Sequence, residues 1–235
     1  YVLSGTVEHG DSLGNEGTLG AGDVQWMTAG SGILHQEMPK GNANGQMHGF
    51  QLWANLPSSL KMTAPRYQDV QGKDIPEIID DDGTRVKVIV GNFWGKFGPV
   101  DGIAADPQYL DIYVPAGVKK TFKVDTYRKA FAYVFEGAGA FADASAPEGV
   151  LLEKEVMGEE VNIRDMSGNR TLIKFGTGEE VTVQAGEEGI RFLLISGAPI
   201  QEPVAWHGPI VMNTREELMQ AFAELRNGTF IKPAH

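Results

Sequence analysis

Residues 30–39, Gly-Ser-Gly-Ile-Leu-His-Gln-Glu-Met-Pro, set an imidazole and a carboxylate at alternate positions of an otherwise apolar, glycine-led segment. In an extended strand successive side chains leave by opposite faces, so His35 and Glu37 share one face while Leu34, Gln36 and Met38 share the other. A histidine nitrogen beside a carboxylate oxygen suits a borderline or hard divalent metal. Two donors do not make a tight site, and the others must come from elsewhere. The glycine-rich approach Thr28-Ala29-Gly30-Ser31-Gly32 favours a tight loop that brings the strand to a rim. The plainer reading of the same residues is a surface or hydrogen-bonded rim pair.

The remaining histidines read less sharply. His9 follows the first strand and turn. His48 alternates with Phe50 and Leu52 and reads as a satisfied structural histidine or as one that supports a ligand from behind; His207, between Trp206 and a Gly-Pro turn, reads as structural or interfacial, and His235 as a tail residue. Trp26, Met27, Phe50, Leu52 and Trp53 could line an apolar pocket beside a metal and equally could be barrel core. No phosphate-binding loop, nucleophile elbow or dinucleotide fingerprint is present. Asp80-Asp81-Asp82 stands before Gly83 and reads as a solvated turn, and Lys119-Lys120 is too short for a nucleic-acid patch.

These residues must be positioned by short strands. Thirty glycines and 12 prolines punctuate runs rich in Val, Ile, Phe, Tyr and Leu, among them residues 23–27, 49–56, 85–91, 110–114, 132–135, 180–186 and 190–197. Such spacing predicts an all-β sandwich or barrel. One helix is predicted near the end, where Thr214 and Glu217 form a capping box, Leu218, Phe222 and Leu225 recur at helical spacing, and Asn227-Gly228 is a stop. The order of elements also repeats: Tyr-Val-Leu-Ser-Gly at 1–5 matches Tyr-Val-Phe-Glu-Gly at 133–137, and 22–30 resembles 178–186. Continued from Gly30 and Gly186, His35 and Glu37 fall opposite Arg191 and Leu193, or Phe192 and Leu194 with one insertion, so the second half carries no ligand pair. Two further strand-like pieces precede the second copy, and their counterparts would lie before Tyr1, so the chain is expected to lack an N-terminal portion.

Composition narrows the function. The net charge of −11 is dispersed, which disfavours binding to nucleic acid or anionic membrane, and no apolar run approaches the roughly 20 residues of a membrane-spanning helix. With no cysteine, thiolate zinc sites, iron–sulfur clusters, disulfides and thiol nucleophiles are excluded, and any metal must bind through His, Asp, Glu or carbonyl oxygen. A cytoplasmic location, with a small aromatic molecule or a protein as partner, fits these properties.

Three separated motifs carry a family resemblance: Leu-Gly-Ala-Gly-Asp-Val-Gln-Trp-Met-Thr-Ala-Gly-Ser-Gly-Ile-Leu-His-Gln-Glu-Met-Pro at 19–39, His-Gly-Phe-Gln-Leu-Trp-Ala-Asn-Leu-Pro at 48–57, and Glu-Pro-Val-Ala-Trp-His-Gly-Pro-Ile-Val-Met-Asn-Thr-Arg-Glu-Glu-Leu at 202–218. In this order they resemble the pirin family of the cupin superfamily, over residues 1 to about 230. The resemblance implies a bicupin, two face-to-face antiparallel β-barrels of jelly-roll type with a short C-terminal helix, the first barrel at 1–104 and the second, without metal ligands, at 105–235. It implies Fe(2+) or another divalent metal, one per chain, held by three histidines and one glutamate, of which His35 and Glu37 match two. The other two belong to a His-Pro-His segment that would lie before Tyr1, and neither His9 nor His48 matches a ligand position. Some pirins resemble quercetin 2,3-dioxygenases, which implies a flavonol substrate with Glu37 as metal ligand and general base. Others resemble redox-responsive regulators of transcription factors or metabolic enzymes, the alternative expectation.

Overall fold

Glycine and proline break the chain into ladders too short to bury both faces alone, and the ladders gather into two compact units. The computed structural model describes residues 1–141, 148–151 and 166–232. The first unit comprises Tyr1–Asp74, Gly102–Ala105 and Ile200–His235, and the second Ile75–Asp101 and Asp106–Pro199. Residues after Ile200 are tied to the first unit: the Ser58 backbone N–H and hydroxyl donate to the Glu202 carboxylate at 2.6 and 3.1 Å, and the Phe230 ring packs on Gly32, where a Cβ would lie 2.7 Å from the ring.

In the first unit the strands are β1 (Val2–Ser4), β2 (Thr6–Asp11), β3 (Glu16–Leu19), β4 (Val24–Thr28), β5 (His35–Lys40), β6 (His48–Gly49) and β7 (Arg66–Val70). They pair antiparallel as β3-β2-β5, β1-β6 and β4-β7. Val2, Val7 and Leu19 form a small buried cluster. Every residue of β5 is exposed.

The second unit holds β8 (Glu77–Ile79), β9 (Arg85–Val90), β10 (Asn92–Phe93), β11 (Lys96–Phe97), β12 (Gln108–Val114), β13 (Lys119–Lys123), β14 (Lys129–Phe141), β15 (Glu148–Leu151), β16 (Ser167–Gly168), β17 (Thr171–Lys174) and β18 (Glu180–Gly197). Most join one sheet in the order β15-β17-β14-β18-β12-β9-β8, with β13 on β18 and β16 on β14. Burial alternates over the first half of β14, as on a half-buried pleat, whereas Tyr109–Ile112 of β12 and Phe192–Ser196 of β18 are buried on both faces. Phe122, Phe141 and Phe192 meet edge to face at 6.0 and 5.3 Å within a large aliphatic core.

The segments 180–186 and 190–197, read from sequence as two strands, form the single strand β18. Gly189 takes a left-handed φ of 79°, so the chain bends without reversing. The expected strand over 49–56 is realised only at its start: after Phe50, which exchanges backbone hydrogen bonds with Tyr1, the segment has no ladder among the described residues.

The chain returns to the first unit as a hairpin, β19 (Ala205–His207) and β20 (Ile210–Met212), and the helix α1 (Arg215–Asn227). The expected capping box is present, with the Thr214 hydroxyl accepting from the Glu217 N–H at 3.2 Å, and Gly228 closes the helix in the left-handed conformation. The ring of His207 meets that of Phe222 of α1 at 5.5 Å, in keeping with a structural role. His235 lies outside the described residues. Among the described residues no helix is long and apolar enough to cross a membrane.

Candidate metal centre

The strand β5 carries His35 and Glu37, and its register on β2 sets their neighbours: His35 stands opposite Asp11 and Glu37 opposite His9. Directly opposed residues of an antiparallel pair project from the same face. Four residues of metal-ligating type thus share one face of the β3-β2-β5 sheet. Their surroundings divide them into two pairs with different tasks.

Asp11 is spent on the β2–β3 turn. Its carboxylate accepts from the Asn15 side-chain amide at 2.8 Å and from the backbone N–H groups of Leu13 and Asn15 at 2.8 and 3.0 Å. Burial opposes its ionisation, but the Asn15 and Leu13 donors outweigh that and hold its pKa below the usual carboxylate range. His9 is spent as well. It is only 6% exposed, and its two ring nitrogens are bonded to the Gln25 amide at 3.1 Å and the Tyr67 hydroxyl at 3.0 Å. The Tyr67 ring also stacks on it at 5.6 Å. Burial pushes Tyr67 up, as it does the nearby Asp69.

His35 and Glu37 remain. His35 Nδ1 lies 3.9 Å from Glu37 Oε1, and each side chain is about one-third exposed, at 35 and 36%. Donors bound to one divalent ion at about 2.1 Å each stand roughly 3–4 Å apart, so the pair fits two corners of one coordination shell. Among the described residues no group of three His, Asp or Glu side chains is placed to hold a metal. The residues present fit half of a donor set and not a whole one.

A residue that sequence reading passed over completes the surroundings of Glu37. Gln51 Nε2 donates to Glu37 Oε2 at 3.3 Å, and Trp53 Nε1 donates to Gln51 Oε1 at 3.1 Å. The alternation in His48-Gly-Phe-Gln-Leu-Trp53 could have pointed to it, since Gln51 and Trp53 are two residues apart. Of the expected pocket or core residues, Trp26, Met27, Phe50 and Leu52 are half-buried and Trp53 is 58% exposed, so none belongs to the buried core. His48 is exposed, with its ring 5.2 Å from that of Phe50.

Comparison with known proteins bears on this arrangement. The model of the pirin C-terminal cupin domain matches residues 109–231, and the pirin model matches residues 1–54. The chain belongs to the pirin family. A pirin-like protein of Caulobacter vibrioides is 42% identical over 233 residues, covering 98% of this chain and 75% of that protein. Pirin-1 of Arabidopsis thaliana is 39% identical over 229 residues, covering 97% and 72%. Among solved structures, a quercetin 2,3-dioxygenase from Acinetobacter baumannii superposes with a TM-score of 0.81 at 33% identity, covering 97% of this chain and 74% of that one. This pirin thus has the cupin fold. In its second unit, Arg191 makes a two-pronged ion pair with buried Asp111 at 2.9 and 2.6 Å, and Leu193, Phe192 and Leu194 are buried, so those positions hold no ligand pair.

Proposed function

We propose that this pirin acts as a flavonol 2,3-dioxygenase, opening the heterocyclic ring with dioxygen and releasing carbon monoxide, on one divalent metal, iron(II) by preference, in its first unit. The observation that carries the reading is the His35–Glu37 pair, 3.9 Å apart on one open strand face in a chain of this family. The similarity to a solved quercetin 2,3-dioxygenase supports it. His35 and Glu37 hold two corners of the metal shell, and two further donors that the described residues do not supply at that face complete it. A bound iron(II) supplies accessible redox change and open positions for substrate oxygen and dioxygen.

What the chain's own residues contribute can be derived without the ion. Glu37 is exposed enough to meet a substrate hydroxyl, and a carboxylate is a competent base for a flavonol proton once the two are within hydrogen-bond reach. Glu37 therefore takes the proton of the flavonol hydroxyl and returns it to the ring-opened acid. Replacing Glu37 by Ala should abolish flavonol-dependent oxygen uptake while retaining part of the metal content. Metal analysis beside an oxygen electrode checks this; equal loss of both would make Glu37 only a structural ligand.

A second reading is a metal-dependent regulator acting on a transcription factor or metabolic enzyme. It is favoured by Met38 of β5 and by Leu34 immediately before that strand, which are 47 and 51% exposed beside the ligand pair. A redox change at the metal would then alter docking only if the partner binds the two states with different affinity.

A further inference from the structure

We propose that Gln51, locked by Trp53, is a positioning residue that reserves one oxygen of Glu37 and leaves the other for the metal and the substrate proton. This rests on the metal-site reading above and goes beyond it. The geometry is a three-member chain: Trp53 Nε1 to Gln51 Oε1 at 3.1 Å, Gln51 Nε2 to Glu37 Oε2 at 3.3 Å, and Glu37 Oε1 toward His35 Nδ1 at 3.9 Å.

Donor and acceptor chemistry fixes the sense of this chain. An indole N–H can only donate, and an ionised carboxylate can only accept. Between them the Gln51 amide has one satisfactory orientation, oxygen to the indole and NH₂ to the carboxylate. The flip ambiguity that usually attends a glutamine is removed by its two neighbours. With Oε2 held in this way, only Oε1 faces His35. A free carboxylate would present either oxygen, or both, to an ion.

The placement of Trp53 points the same way. At 58% exposure its ring is not held by burial, so its indole contributes little to a core. Its hydrogen bond instead spends a rigid side chain with two rotatable bonds on an amide beside the candidate ligand. Partners that orient a metal ligand from behind commonly contribute 10-fold or more to metal affinity.

Four variants test this: Gln51→Met, which keeps length and removes both amide functions; Trp53→Phe, which keeps a ring and removes the donor; their combination; and Glu37→Ala, which removes the acceptor. On the 235-residue chain without metal, the Trp53 indole ¹H–¹⁵N resonance, assigned by its loss in Trp53→Phe, should shift upfield in Gln51→Met and move in Glu37→Ala. An indole resonance indifferent to both would overturn the relay. On the native gene product, nickel(II) titration should show each single variant weakened roughly 10-fold. The double variant should be no weaker than Gln51→Met alone, because one chain of bonds is being cut twice. Unchanged affinity, or effects that simply multiply, would overturn the positioning role. The outcome separates from the dioxygenase reading: native protein that binds nickel but consumes no oxygen with a flavonol loses the proposed activity and keeps the positioning residue. If the native protein binds no nickel, the metal-site reading and the positioning role toward it fall together.

Discussion

Gly17 makes room for an imidazole. A Cβ at that position would stand 2.7 Å from His9 Nε2, inside any real carbon contact. The ring it admits is buried between the Gln25 amide and the Tyr67 hydroxyl, and both of its nitrogens are satisfied. Gly17→Ala should therefore displace His9 and leave buried polar groups unpaired, at a cost of about 1–3 kcal/mol by denaturant titration. An unchanged midpoint would mean that the ring shifts freely and the network is not structural. This pairing was not legible in the sequence, because nothing in the spacing of His9 and Gly17 announces their opposition until the β2–β3 register is known. The side-by-side placement of His35 and Glu37 was legible, since it needs only the two-residue period of a strand. Gln51 was hidden by the attention that its apolar neighbours attract.

At the scale of elements, the long strands β14 and β18 bend where glycine permits. Gly137 has a φ of 66°, and a Cβ there would lie 2.1 Å from the carbonyl oxygen of Gly189. Gly137→Ala should cost about 1–3 kcal/mol from the left-handed backbone alone, and more from the clash, read as a lowered thermal midpoint. Its repeat counterpart Gly5 also has a positive φ, 83°, so the Tyr-Val-x-x-Gly match reflects a shared backbone need. A second element-scale device is the loop between β8 and β9, where Lys120 of β13 donates to Asp80 and, at 2.7 Å, to Asp82. Burial raises the Asp82 pKa, but the hydrogen bonds from Lys120 and Thr84 prevail and hold it at about 2, below its ordinary 3.8. With the folded value the lower one, the contribution is present above about pH 4 and lost as pH falls toward 2. The stability difference between the native sequence and Lys120→Met should therefore shrink across that window; a difference constant down to pH 2 would contradict the pairing. In the sequence this aspartate run read as a solvated turn, because the lysine that meets it lies about 40 residues away.

For the whole molecule, strand punctuation and the internal repeat disclosed an all-β chain of two related halves, and the capping box disclosed its helix. The division of contacts was less accessible. Glu202, which accepts from Ser58 across 144 residues, and Phe230, which packs on Gly32, tie the end of the chain to the first unit, and no local pattern encodes such distant pairs. The second unit buries a large aliphatic and aromatic core and, at the intervening positions of β12 and β18, the Arg191–Asp111 ion pair, whereas the first keeps β5 open with its imidazole and carboxylate side by side. In the proposed function, that asymmetry makes the first unit the place for chemistry. The most direct test is oxygen uptake by the native gene product, reconstituted anaerobically with iron(II) and then offered quercetin in air-saturated buffer. The account predicts uptake that depends on iron, is accompanied by carbon monoxide, and disappears in Glu37→Ala. Stoichiometric iron without quercetin-dependent uptake would contradict it and leave the regulatory reading in its place.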